Sequence, residues 1–139
     1  MSKSLHSLPG PYGALLLVLA VTSMATANAV TPLELLGTYR TQSGNAEPAP
    51  SRGQQFFNSS HDHEWRCASC HGAVPTQTGR HAATGKSIAP LSPAFNPDRF
   101  TDASKTEKWF RRNCNDVVGR ECSAAEKADL LAWLLTLKP

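Results

Sequence analysis

The apolar positions of this 139-residue chain form one uninterrupted run followed by a series of amphipathic stretches. The run is Ala14 to Val21. It follows Lys3 and precedes the small-x-small site Ala27-Asn28-Ala29. That order is the pattern of a secretory signal peptide cleaved after Ala29. The run is short for a membrane span, which takes about 20 residues; an uncleaved anchor is the alternative. Residues 1–29 are therefore read as the leader and residues 30–139 as one domain.

The amphipathic stretches read as helices. Thr31-Pro32-Leu33-Glu34 combines a capping box with proline at the first helical position. A helix is predicted from there to about Gln42, with Leu33, Leu36 and Tyr39 on one side. Ser43 to Pro50 is a loop. Ser51 to Phe57 opens a second helix, in which Gly53 costs about 1 kcal/mol relative to alanine. Either another helix approaches closely there or the first turn frays. Gly53 and Phe57 are expected to meet Trp133 or Leu134. Gly72 to Pro97 is punctuated by Gly79, Gly85, Pro90, Pro93 and Pro97 and reads as loop. Asp102 or Ser104 can cap a third helix reaching Asn113 or Cys114. A turn containing Gly119 should then run from Cys114 to Cys122. Ser123-Ala124-Ala125-Glu126 caps a last helix to about Leu137, whose stripe is Leu130, Leu134 and Leu137, flanked by Leu131 and Trp133. No strand pattern competes, so the fold class is all-α and small.

Charge changes this picture little. Of the 14 basic residues only Lys3 lies in the leader, leaving 13 against 11 acidic ones. A mixed surface of that kind gives no sign of nucleic-acid binding. Lys105, Lys108 and Arg112 do share one helical face leading to Asn113. They form either a solvated surface or a basic patch that steers an acidic partner.

The chemistry is concentrated in Cys67-Ala68-Ser69-Cys70-His71. C-x-x-C-H is the attachment signature of a c-type haem. Two thiols at this spacing can add to the two vinyl groups of one haem edge, and His71 then supplies the proximal imidazole. The implied cofactor is one covalently attached haem c (iron) per chain. A thioredoxin-type dithiol and half of a zinc site are the alternatives. The first wants a βαβ pattern and the second a further close pair, and neither is present in the sequence. A long irregular segment is unusual in a small domain unless it wraps a ligand, which haem would be. Cys114 and Cys122 then remain, and in an exported protein a disulfide is expected.

The ligand opposite His71 is not methionine, because Met1 and Met24 both lie in the leader. His61 and His63 sit just upstream of Cys67, where reaching the far haem face is difficult; His61-Asp62-His63 is also a possible surface metal site. His81, a lysine such as Lys105 or Lys108, and Asn113 are further candidates. Asn113 ends an aromatic-bearing stretch and adjoins Cys114, although asparagine is also common at helix C-termini. Pro90 can either accept a hydrogen bond from the His71 ring or simply stiffen its loop.

Four runs carry a family resemblance: Thr84 to Leu91, Asn96 to Asp102, Glu107 to Asn115 and Glu126 to Leu134. They closely resemble the sphaeroides haem protein family, class I c-type cytochromes whose sixth ligand is asparagine. The resemblance covers nearly the whole chain after the leader and departs most before Trp65. It implies haem attachment at Cys67, Cys70 and His71, iron ligation by His71 and Asn113, and a disulfide between Cys114 and Cys122. It implies an asparagine that leaves on reduction, opening the iron to oxygen, nitric oxide and similar small ligands. It also implies redox partnership with a dihaem cytochrome c and a membrane cytochrome b. The expected activity is periplasmic electron transfer with diatomic-ligand binding and no assigned catalytic residue. An enzyme turning over oxygen or nitric oxide and a gas sensor are the rival readings.

Overall fold

The computed structural model describes residues 29–139, so all of the leader except Ala29 lies outside the described residues. The chain runs α1 (Pro32–Gln42), α2 (Pro50–Asn58), α3 (Cys67–His71), β1 (Gly79–Arg80), β2 (Ser87–Ile88), α4 (Ala103–Val118) and α5 (Ala124–Thr136). The fold is a small all-α one, with the two short strands paired antiparallel in the long loop.

The helix starts follow their capping residues. The Glu34 N–H donates to Thr31 Oγ1 at 3.2 Å, and the Glu34 carboxylate accepts the Thr31 N–H at 2.7 Å. Asp102 caps α4 by accepting the Lys105 N–H at 2.8 Å. Ser123 and Glu126 form the reciprocal box of α5. Each cap satisfies donors that the first helical turn leaves without a partner.

α5 is the centre of the fold. It buries Ala128, Leu130, Leu131, Trp133 and Leu134 and packs on α1 and α2. Gly53 of α2 lies directly on its backbone, and a Cβ there would overlap the Asp129 carbonyl. The expected close approach is therefore real, and the absent side chain sets how near the helices come. Phe57, one turn on, meets Trp133 with ring centroids 5.1 Å apart. Asp129, nearly buried, clamps this crossing. It accepts the Arg52 Nε at 2.7 Å, the Arg52 Nη2 at 2.8 Å and the Ala49 N–H at 2.6 Å. The forked pairing fixes orientation as well as distance.

A second polar knot ties α1, α4 and α5. The Tyr39 hydroxyl donates to Glu107 at 2.6 Å, and Lys127 donates to the other Glu107 oxygen at 2.7 Å. The Lys127 ammonium also lies 5.6 Å from the centroids of the Tyr39 and Phe110 rings. Partial burial pushes the Glu107 carboxyl up, but the bonds from Lys127 and Tyr39 outweigh it and hold the group below its ordinary range.

Several expectations are corrected. α1 buries Leu35 and Tyr39, one turn apart, and leaves Leu33 69% exposed. The predicted 33/36/39 series steps by three and drifts around the helix, whereas 35 and 39 step by four along the line that α5 covers. α4 does not stop at Asn113 or Cys114. It continues to Val118 because Phe110, Cys114 and Val118 extend one buried line, and it ends where Gly119 turns left-handed at φ 73°. The last helix ends at Thr136, and Leu137, its C-cap, still packs partly buried against the core.

Candidate functional site

α2 delivers the chain to a reversing loop in which His61 and Asp62 both take left-handed backbone, at φ 51° and 61°. Arg66 caps the next helix, its N–H donating to Ser69 Oγ at 3.2 Å. α3 is only five residues long, yet it brings the three expected attachment residues together. Cys67 and Cys70 are one turn apart on the same side, and His71 follows one turn after Cys67. Both thiols are free. Gly72 then turns the chain away at φ 80°.

The loop packs back onto α3 by close backbone approach. Gly79 of β1 lies against the Cys70 carbonyl, where any Cβ would overlap. The Ala82 N–H reaches Cys70 Sγ at 3.3 Å. On the other side Phe57 places its ring 6.1 Å from the His71 imidazole, linking the site to the α2–α5 crossing.

Burial controls the protonation of the site. It pushes the Cys67 thiol up to about 11, with Cys70 adding to the effect. It pushes the His71 imidazole down to about 4, helped by the positive charge of Arg99. His71 is thus neutral at physiological pH, the form in which a histidine nitrogen can bind a metal.

The other candidates separate. Cys114 and Cys122 are joined in a disulfide, with Cα atoms 5.7 Å apart. Asn113 is exposed on α4 beside that bridge, and its side chain has no hydrogen-bond partner among the described residues. Trp109, one turn earlier on the same edge of the helix, is 45% exposed and carries the Arg112 guanidinium 5.7 Å from its centroid. Lys105 and Lys108 are exposed along the same helix. His81 is exposed in the turn between the strands, where Nδ1 accepts the Thr84 N–H at 3.3 Å. His61 bonds the Phe56 carbonyl at 2.8 Å, while the His63 ring packs on Gly119, so the two histidines do not share a site.

The Pro90 carbonyl does not accept from the His71 ring. It is taken by Arg99 Nε at 2.9 Å and by Asn96 Nδ2 at 3.2 Å. Arg99 and Asn96 were not singled out as site residues in the sequence. Both sit within the Asn96–Asp102 run that carries part of the family resemblance, which was the available signal.

Residues 43–134 match the family described as Domain of unknown function (DUF1924). Cytochrome c-type protein SHP of Cereibacter sphaeroides is 44% identical over 124 residues, covering 86% of this chain and 95% of that relative. The chain belongs to the sphaeroides haem protein family. It is also 44% identical over 93 residues to cytochrome c'' of Methylophilus methylotrophus, covering 64% of this chain and 65% of that protein. The solved structure of oxidized SHP, described as an oxygen binding cytochrome c, superposes with a TM-score of 0.73 at 44% identity, covering 78% of this chain and 99% of that one. Oxidized cytochrome c'' superposes with a TM-score of 0.69 at 38% identity, covering 78% and 95%.

A sphaeroides haem protein carries haem c, and the residues here fit one. The donor set is right: two adjacent-turn thiols and a neutral, half-buried imidazole. The surface is right as well. Trp65 is 40% exposed, Val74 50% and Trp109 45%, and these large apolar side chains flank the attachment helix in sequence or precede Asn113 by one turn. A porphyrin face would cover surface of that kind.

Proposed function

We propose that this chain is an exported, periplasmic monohaem cytochrome that transfers electrons and, when reduced, binds oxygen, nitric oxide or a similar small ligand. The observation that carries this reading is a half-buried, neutral His71 beside two free thiols, with an exposed Asn113 on α4 whose side chain has no hydrogen-bond partner among the described residues.

Cys67 and Cys70 would hold the haem through thioethers. When bound, the haem supplies a one-electron couple and an iron position at which a small ligand can bind. His71 would be the iron's strong nitrogen donor. Asn113 would offer its amide oxygen to the iron, a neutral and hard donor that suits ferric iron better than ferrous. Asn113 is therefore the displaceable group of the two. The disulfide at Cys114 keeps its backbone in place, so the amide NH2 stays near enough to donate a hydrogen bond to an incoming ligand. Lys105, Lys108 and Arg112 offer a basic face beside this edge for an acidic redox partner, for which the family suggests a dihaem cytochrome c and a membrane cytochrome b.

The reduced protein mixed with carbon monoxide tests the assignment. Uptake should be rapid, without waiting for a strong ligand to dissociate. Asn113→Ala should keep carbon monoxide binding nearly intact while speeding oxygen loss or autoxidation. A low-spin ferrous protein that refuses carbon monoxide would overturn the role given to Asn113.

A further inference from the structure

Cysteine and methionine are the side chains that ordinarily take up oxidising damage. After the leader this chain has no methionine, and Cys114 and Cys122 are already bridged. The remaining two cysteines, Cys67 and Cys70, are the haem attachment residues. The readily oxidised side chains that remain are Tyr39, Trp65, Trp109 and Trp133. Trp65 and Trp109 are exposed, whereas Trp133 and Tyr39 are buried, Tyr39 to 1% exposure. Of these two, Tyr39 has a carboxylate waiting for its proton.

The Tyr39 hydroxyl donates to Glu107 at 2.6 Å, the short distance of a bond to an ionised acceptor. Lys127 bonds the other Glu107 oxygen at 2.7 Å and keeps the carboxyl in its ionised, proton-accepting form. The same ammonium lies 5.6 Å from the Tyr39 ring centroid. An electron leaving the ring alone would create a second buried cation beside it, which is costly. An electron leaving while the proton moves to Glu107 creates a neutral radical and a neutral acid. The Glu107 side chain is 46% exposed, so the proton can pass on to water. The ring also has a route to the site. It meets Phe110 edge-on with centroids 5.8 Å apart. Phe110 and Asn113 are three residues apart on α4, neighbours along the helix with Cβ atoms about 5–6 Å apart.

We propose that Tyr39 is a redox-active residue, with Glu107 as its proton acceptor, that supplies an electron through Phe110 to a haem centre oxidised by hydrogen peroxide. Peroxide takes two electrons and two protons, its O–O bond breaks, and it leaves as two waters. One electron comes from the haem centre and the other from Tyr39. The Tyr39 O–H bond breaks, an O–H bond forms on Glu107, and solvent supplies the protons that peroxide consumes. The oxidising equivalent is thereby moved off the haem to one shielded ring. The proposal rests on the haem reading above.

The test mixes the ferric holoprotein with hydrogen peroxide, freezes it within milliseconds and records the electron paramagnetic resonance spectrum. The wild type should give a tyrosyl radical signal that narrows when the protein is made with ring-deuterated tyrosine. Tyr39→Phe should abolish that signal; the only other tyrosine, Tyr12, lies in the leader. Glu107→Gln removes the positioned base and should lower the radical yield at least about threefold. Haem-bearing wild type with no radical, or with a signal that ring deuteration leaves unchanged, overturns the proposal. A tyrosyl signal that survives in Tyr39→Phe, or a smaller fall in Glu107→Gln, also overturns it. If neither variant accumulates, the wild type decides in heavy water: breaking the O–H bond should slow radical formation at least about twofold, and an equal rate overturns the proposal. A wild type with no attached haem would overturn the haem reading and the proposal with it, which haem content reports separately.

Discussion

The α2–α5 crossing and the segment between Ser59 and Arg99 are held together in opposite ways. At the crossing, side chains interlock. α5 alone buries Ala128, Asp129, Leu130, Leu131, Trp133 and Leu134, and Gly53 lets α2 settle onto it. Between Ser59 and Arg99 only Pro75 and Ser92 are fully buried, and α3 buries no residue of its own. That segment is stitched by polar bonds to carbonyls: Leu91 and Ser92 on Pro75, Arg99 on Ala89 and Pro90, and the His81 N–H on Lys86 at 2.8 Å. Net stabilisation from each such bond is about 1 kcal/mol, whereas a buried large apolar side chain contributes roughly 1.5–3 kcal/mol. The first region is a frame that carries its own core. The second carries little core of its own; it places Cys67, Cys70 and His71 beside the frame, where Phe57 meets both His71 and Trp133.

Two glycines that make equally close backbone contacts break this comparison most directly. Gly53→Val should overlap the Asp129 backbone and cost at least about 3 kcal/mol, or abolish folding, because neither packed helix can give way. Gly79→Ala meets the Cys70 backbone in a region with little core. It should cost about 1 kcal/mol in chemical unfolding yet sharply reduce attached haem, since the loop can shift only by leaving α3. Equal losses in stability would mean the two regions are not different in kind.

The disulfide lies on the boundary between them. It closes a short loop after Asn113, and replacing both Cys114 and Cys122 by serine should cost about 2–3 kcal/mol. It should also broaden the ferric spectrum as Asn113 gains freedom. A stability loss with an unchanged spectrum would place the bridge wholly in the frame.

The smallest expected effect is a pH dependence confined to the frame. Glu107 is held below its ordinary value despite partial burial, by Lys127 and Tyr39; Glu126 is held down chiefly by Arg120. Folded values below the unfolded value of 4.5 mean that the unfolded chain binds protons first as the solution is acidified. The stabilisation is full above that value and is lost as pH falls through the lowered folded ones. Glu107→Gln should flatten part of the decline in melting temperature below pH 4.5 and leave the neutral-pH spectrum unchanged.

The frame was legible in the sequence because helices write periodic patterns. Thr31, Ser123 and their glutamates marked two starts, and Gly53 marked the close approach. The end of α4 was legible in principle, since Phe110, Cys114 and Val118 continue one line, but the Cys114–Cys122 spacing reads more readily as a turn. The wrapping was only partly legible. C-x-x-C-H is self-announcing because its chemistry requires that spacing. Two-residue strands carry no periodicity, so the hairpin and the reason for Gly79 were not readable. Arg99 escaped notice for a related cause: its partners are backbone carbonyls, which leave no mark in composition.

The most direct test of the central claim is acid-acetone treatment of the purified protein, followed by mass analysis of the peptide holding Cys67, Cys70 and His71. The red pigment should stay with the protein, and this peptide should carry the mass of one haem, with both thiols consumed. Extraction of the pigment into the organic phase, with Cys67 and Cys70 recovered as free thiols, would contradict it.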